Sequence, residues 1–149
     1  MNATFINGSA HSGVIIRNSN DLIIKAHAFI HSCLDLISAE CLAILDACSI
    51  LAHLRIKKAT FESDCKNAIT QINVSSPNNN WSASPIIDKI NLLRKNWTSW
   101  NFKFVPRSAN GAAHSSKWVA SNYFVGIVPF NIIPDSIFCD DGYPILDNF

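Results

Sequence analysis

Apolar residues change their spacing several times along the chain, and each change marks an element. The first residues, to about Phe5, read as the end of a strand, and Asn7-Gly8-Ser9 reads as a turn. Gly13 to Arg17 carries Val14, Ile15 and Ile16, an apolar run of strand length. Asn18-Ser19-Asn20-Asp21 has tight-turn composition, and Leu22 to Ile30 is again apolar and β-branched. These two runs predict an antiparallel hairpin. From Ser38 to Leu54 the period lengthens. Leu42, Ile44, Leu45, Cys48, Leu51 and Ala52 recur three and four residues apart, predicting a helix with Ser38 as N-cap. Lys57 to Phe61 predicts a short strand, and Cys65 to Val74 a second helix.

After the loop Ser75-Ser76-Pro77-Asn78-Asn79-Asn80, Trp81 and Pro85 lead into a third helix carrying Ile86, Ile87, Ile90 and Leu93. Trp100, Phe102 and Phe104 then alternate with Asn101, Lys103 and Val105, a strand with one aromatic face that Pro106 ends. Asn110 to about Tyr123 predicts a fourth helix. Beyond Gly126, prolines interrupt four apolar segments, so 127–149 reads as an irregular tail that packs along the body or against a partner. A hairpin followed by strand, helix and strand implies both antiparallel and parallel pairing. An α/β domain over 1–126 is expected, with a mixed sheet covered by helices.

Composition narrows the class. At 149 residues and 48% apolar, the chain suffices for one domain with a real core, and the composition argues against global disorder. A formal net charge of +1 carries no global signature of nucleic-acid binding, so any basic surface is local. The five cysteines are odd in number and contain no CxxC pair. Reduced, mostly buried thiols in an intracellular protein fit that pattern better than a disulfide framework or a zinc site. No segment approaches an unbroken membrane-spanning run, and the N-terminus lacks a basic region followed by an apolar one. Neither a membrane role nor a secretory signal is expected.

The candidate chemistry gathers at a strand-to-helix switch, Thr60-Phe61-Glu62-Ser63-Asp64-Cys65. Strand carboxyl ends are where ligands collect in open α/β sheets. Ser63 or Asp64 could equally cap the following helix. Glu40 sits early in the apolar helix, either as a surface acid or facing Asp64. Two carboxylates brought together repel unless a cation compensates them, and hard oxygen ligands suit Mg²⁺. His114 lies near the start of the fourth helix, and Arg107 in the loop before it has a phosphate-binding option.

Three stretches taken together carry a resemblance. Ala39-Glu40-Cys41-Leu42-Ala43-Ile44, Glu62-Ser63-Asp64-Cys65, and Val105-Pro106-Arg107-Ser108-Ala109-Asn110-Gly111-Ala112-Ala113-His114 resemble the plant ribonuclease H type 1-like domain. That domain is related to the one in non-LTR retrotransposon reverse transcriptases. The resemblance implies a ribonuclease H-like mixed sheet with helices on both faces, here with the first strand largely missing. It implies hydrolysis of the RNA strand of an RNA–DNA hybrid by two Mg²⁺ ions held by four acidic positions. Glu40 and Asp64 match two of those positions. Asn2 stands where the first aspartate belongs, and an amide oxygen coordinates without bringing charge. His114 stands at the fourth, where it would assist proton transfer or product release. By the same resemblance, Arg107, Lys66 and Asn110 are candidate nucleic-acid contacts.

Asn2 implies a weakened metal site, and the expectation is a truncated or diverged member with cleavage impaired or absent. A binding module without chemistry is the alternative, with Asn18 and Ser12 as remoter contacts. Another is a protein-interaction scaffold using the tail and the aromatic face. Trp81, Trp97, Trp100 and Trp118 are expected in cores and helix packing, not as base platforms.

Overall fold

The computed structural model describes residues 1–74, 82–97, 99–110 and 126–127. In chain order these form β1 (Asn2–Ile6), β2 (Ser9–Arg17), β3 (Ile23–Ser32), α1 (Leu36–His53), β4 (Lys58–Ser63), α2 (Lys66–Asn73), α3 (Ser84–Lys95), β5 (Ser99–Phe104), a 3₁₀ turn (Arg107–Asn110) and β6 (Gly126–Ile127).

Turn chemistry sets the first three strands. Asn7 and Gly8 both take positive φ, 48° and 79°, the two-residue turn whose twist matches an antiparallel hairpin. Asn2 then lies opposite Gly13 and Ile6 opposite Ser9. At the next turn the Asn18 side chain accepts from the N–H groups of Asn20 and Leu22. β2 and β3 pair from Ser9↔Ser32 to Arg17↔Ile23.

Asp35, rather than Ser38, caps α1. Its Oδ1 accepts the Ser38 N–H at 2.7 Å, and its Oδ2 accepts from Ser82 Oγ just before α3. Burial opposes the charge on Asp35, but the bonds from Ser82 and Ser38 outweigh it and hold the carboxyl below its usual range. At the other end Arg55 takes φ 56°, and the Ile56 N–H returns to the Leu51 carbonyl, which stops the helix. α1 is long and apolar enough by composition to cross a membrane, contrary to the sequence expectation. It is nonetheless the core helix, with Ala39, Cys41, Ala43, Ile44, Ala47 and Cys48 buried. These mostly small side chains let it lie close on the sheet.

The strands form two ladders. One is antiparallel in the order β1-β2-β3-β6, and the other is the parallel pair β4-β5. Ile127 pairs with His27, so the sheet takes in the first residue assigned to the tail. The ladders meet where the Met1 amine donates to the Glu62 carbonyl at 2.8 Å, which sets β1 beside β4. Phe61 stacks on Phe102 at 4.7 Å and meets Trp100 edge-on at 5.0 Å, so the predicted aromatic face is buried there. Phe104, at the end of that face, is exposed. Cys41 and Cys48 are free, and burial pushes both thiols up to about 12, as expected of inert core cysteines. Trp100 is buried and donates its indole N–H to the Ile56 carbonyl. Trp81, Trp118, the predicted fourth helix beyond Asn110 and the tail beyond Ile127 lie outside the described residues.

Candidate functional site

Four elements converge where β1 and β4 meet. β1 brings Asn2, α1 brings Glu40, the end of β4 brings Asp64, and the 3₁₀ turn brings Asn110. Asn2, Glu40 and Asn110 are each 7% exposed or less, so their polar groups must be satisfied internally. Glu40 Oε2 accepts the Ala3 N–H at 3.2 Å, tying α1 to the β1 backbone. Asp64 is held from two sides: Asn2 Nδ2 donates to its Oδ2 at 3.3 Å, and Asn110 Nδ2 donates to its Oδ1 at 3.0 Å. Asn110 Nδ2 also donates to the Met1 carbonyl at 2.8 Å.

Glu40 and Asp64 act on the same buried neighbours. Burial lowers the Met1 amine to about 6 against the opposing pull of Glu40, Asp64 and Glu62. Burial also raises the Cys65 thiol, and the charges of Glu40 and Asp64 add to that rise. The two acids that the sequence sent to this corner therefore share it. α2 has Cys65 as its N-cap without a side-chain cap bond, while Ser63 Oγ accepts the Cys65 N–H one step earlier. Helix capping is thus not what places Asp64.

Glu40, Asp64 and the amide oxygen of Asn2 are hard oxygen donors of the kind Mg²⁺ takes together with waters. Two carboxylates balance one divalent cation. Among the described residues no group of three or more His, Cys, Asp or Glu side chains gathers as a metal site. The described donors at the corner are two carboxylates and one amide. His114 lies outside the described residues.

Of the expected nucleic-acid contacts, Lys66 opens α2 and Arg107 opens the 3₁₀ turn, both exposed at this end of the sheet. Asn110 is buried and donates its amide N–H groups to Asp64 and to the Met1 carbonyl. Ser12 is also buried, donating to Asp46 Oδ2 at 3.1 Å, and Asn18 spends its side chain on its own turn. Sequence reasoning missed the tie from Asp46 on α1 to Ser12 on β2 and His31 on β3, whose Nε2 lies 2.8 Å from Asp46 Oδ2. The bond with Asp46 raises the His31 pKa, against the lowering effect of burial.

A meander, a core helix carrying Glu40, a parallel strand pair and Asp64 just past the end of β4 define the ribonuclease H fold. The chain matches the reverse transcriptase-like family over residues 2–117 and belongs to it. Among solved structures, it is similar to RNase H1 of the halophilic archaeon Halobacterium salinarum, with a TM-score of 0.74 at 15% identity, covering 81% of this chain and 93% of that one. The N-terminal RNase H domain of a Mycobacterium tuberculosis protein gives 0.69 at 13%, with 80% and 91% covered. LC11-RNase H1, whose structure is a complex with an RNA/DNA hybrid, gives 0.64 at 16%, with 76% and 87% covered. No curated protein matches the sequence at a significant level.

Proposed function

We propose that this domain binds RNA–DNA hybrids through the Asp64 corner and cleaves them weakly or not at all. The observation that carries the reading is Asn2, which reaches Asp64 from the β1 side with an uncharged amide. The fold shared with a hybrid-bound RNase H1 supports the choice of ligand. The reverse transcriptase-like family supports a common origin with retroelement enzymes.

In this reading Arg107 and Lys66 engage backbone phosphates as exposed cations beside the corner. Asn110 and Asn2 fix the orientation of Asp64, and the Ala3 N–H fixes Glu40. Mg²⁺, when bound by Glu40, Asp64 and the Asn2 oxygen, supplies charge neutralisation at the scissile phosphate and a more acidic water. With one carboxylate fewer, the site holds its cation weakly and the water stays a poor nucleophile.

A labelled RNA–DNA hybrid tests this. Expected are binding that weakens as salt rises and a magnesium-dependent cleavage rate at or near background. Vigorous cutting by the unaltered chain that vanishes in Asp64→Asn would overturn the inactive reading. Absence of hybrid binding at low salt would overturn the whole assignment.

A further inference from the structure

Two acids fasten α1 to all three strands of the meander. Glu40 Oε2 accepts the Ala3 N–H of β1. Further along α1, Asp46 Oδ2 accepts from Ser12 Oγ of β2 at 3.1 Å. His31 Nε2 of β3 lies 2.9 Å from Asp46 Oδ1 and 2.8 Å from its Oδ2. Ala3 and Ser12 are cross-strand partners, and Ser12 pairs in turn with Phe29, so the two fastenings sit on neighbouring rows of the sheet. The helical rise from Glu40 to Asp46 is about 9 Å, close to the distance across two inter-strand spacings. Both acids therefore reach the sheet at once when α1 crosses the strands.

Packing against the meander leaves the place of α1 along its own axis weakly set. Ala39, Ala43 and Ala47 follow at four-residue spacing between the two acids, and all three are buried. Within the meander α1 packs mainly on β1 and β2, where the buried residues include Ala3, Ala10 and Val14. Ridges only a methyl high interlock shallowly, so a small slide of the helix meets a low steric barrier. Directional bonds resist such a slide where packing does not. Ser12 is fully buried and the Asp46 side chain is 12% exposed, so water competes little for their bond.

We propose that Asp46 is a positioning residue for the Asp64 corner: its bonds to Ser12 and His31 fix α1 along the sheet and so hold Glu40 on the Ala3 N–H, more tightly when His31 is charged. Among the described residues, α1 presents Asp46 to His31, and β2 presents Ala10 and Ser12, which carry no charge. Along β3, His27 stands beyond Phe29, the rings stacked at 5.9 and 6.0 Å. Burial and then Lys25 lower the His27 pKa, against a smaller raising effect of Asp46, whereas the Asp46 bond raises that of His31. His31 is therefore the group that changes charge above 6.5. The hold is full while His31 is charged and weakens as pH rises through its raised value. Any effect on cation affinity rests on the reading of the corner given above, while the placement of Glu40 does not.

The test follows amide exchange in the full ¹⁵N-labelled chain in chelator, corrected for the intrinsic dependence of exchange on pH. The Ala3 amide reports the Glu40 bond, and the Thr4 and Ile6 amides report the pairing of β1 with β2. Expected is a fall in Ala3 protection of about threefold as pH rises through the raised His31 value, with Thr4 and Ile6 unmoved. His31→Gln should remove that step, and Asp46→Asn should lower Ala3 protection at every pH. No step in the wild type, a step that survives in His31→Gln, or Thr4 and Ile6 loosening together with Ala3 would each overturn the proposal. Should Asp46→Asn fail to fold, His31→Gln decides alone. A magnesium titration on either side of the step separates the two readings. Affinity that falls with the step supports both, whereas a step without any magnesium binding supports the role of Asp46 and overturns the cation reading of the corner.

Discussion

The antiparallel half of the molecule and the parallel half are held together by different means. β1, β2 and β3 follow one another through short turns, and their stability rests on backbone ladders set by Asn7, Gly8 and Asn18. Their inward side chains on this face are small, among them Ala3, Ala10 and Val14. β4 and β5 are far apart in sequence and rest instead on Phe61, Trp100 and Phe102. α1 lies across the first half, and the functional corner occupies the seam. The lesson is that the seam's polar bonds are asked to align two bodies with separate sources of stability.

The largest expected effect breaks the parallel half. Phe61→Ala should cost about 3–5 kcal/mol, seen as a lowered denaturation midpoint. Val14→Ala, on the antiparallel side, should cost about 1–2 kcal/mol from the methyl groups lost. Equal losses at the two sites would erase the contrast.

At the seam, Asn2→Asp should raise magnesium-dependent hybrid cleavage at least about tenfold, or about 1.4 kcal/mol of barrier. The same variant should melt lower in a chelator, because three carboxylates then share the corner. A cleavage rate unmoved by this change would show that charge is not what the site lacks.

Asp35→Ala should lose about 1 kcal/mol by uncapping α1 where it meets Ser82. The folded carboxyl titrates below its ordinary value of 3.8, so its contribution is present above that value. The contribution is lost as pH falls through the lowered folded value, and the gap in Tm between wild type and variant should close there.

The smallest effect concerns the tie between α1 and the meander. The Asp46 bond raises the folded pKa of His31 above 6.5. Its stabilisation is complete below 6.5 and is lost as pH rises through the raised value. The pair is a third exposed on the histidine side, so under about 1 kcal/mol is at stake. Wild type should show a small fall in Tm across that window, and His31→Gln should show none.

Much of this architecture was legible in the chain. Asn7-Gly8 announces a hairpin because both residues tolerate positive φ, and the alternation of Trp100 and Phe102 announces a buried face. The residues alone left Glu40 either on the surface or facing Asp64, and the family resemblance paired the two. The rest depended on tertiary partners. Ser38 and Asp35 are both good cap types, and the structure gives the cap to Asp35, whose carboxylate accepts the Ser38 N–H and also a bond from Ser82. The inward bonds of Asn110 to the Met1 carbonyl and Asp64 depend on partners far along the chain. The Ser12–Asp46–His31 tie joins three elements, and no spacing along the sequence encodes it. Phe104 keeps the alternation but lies at the strand's end, past the cover of the core.

The bond from Asn110 to the Met1 carbonyl also bears on how the domain assembles. It closes a separation of 109 residues, whereas the hairpins close over short turns. Contacts so distant carry the largest loop-closure cost and reward folding only after local structure has formed. The meander should therefore collapse early and the Asp64 corner last, so hydrogen-exchange protection of the β2 and β3 amides should appear ahead of the recovery of hybrid binding.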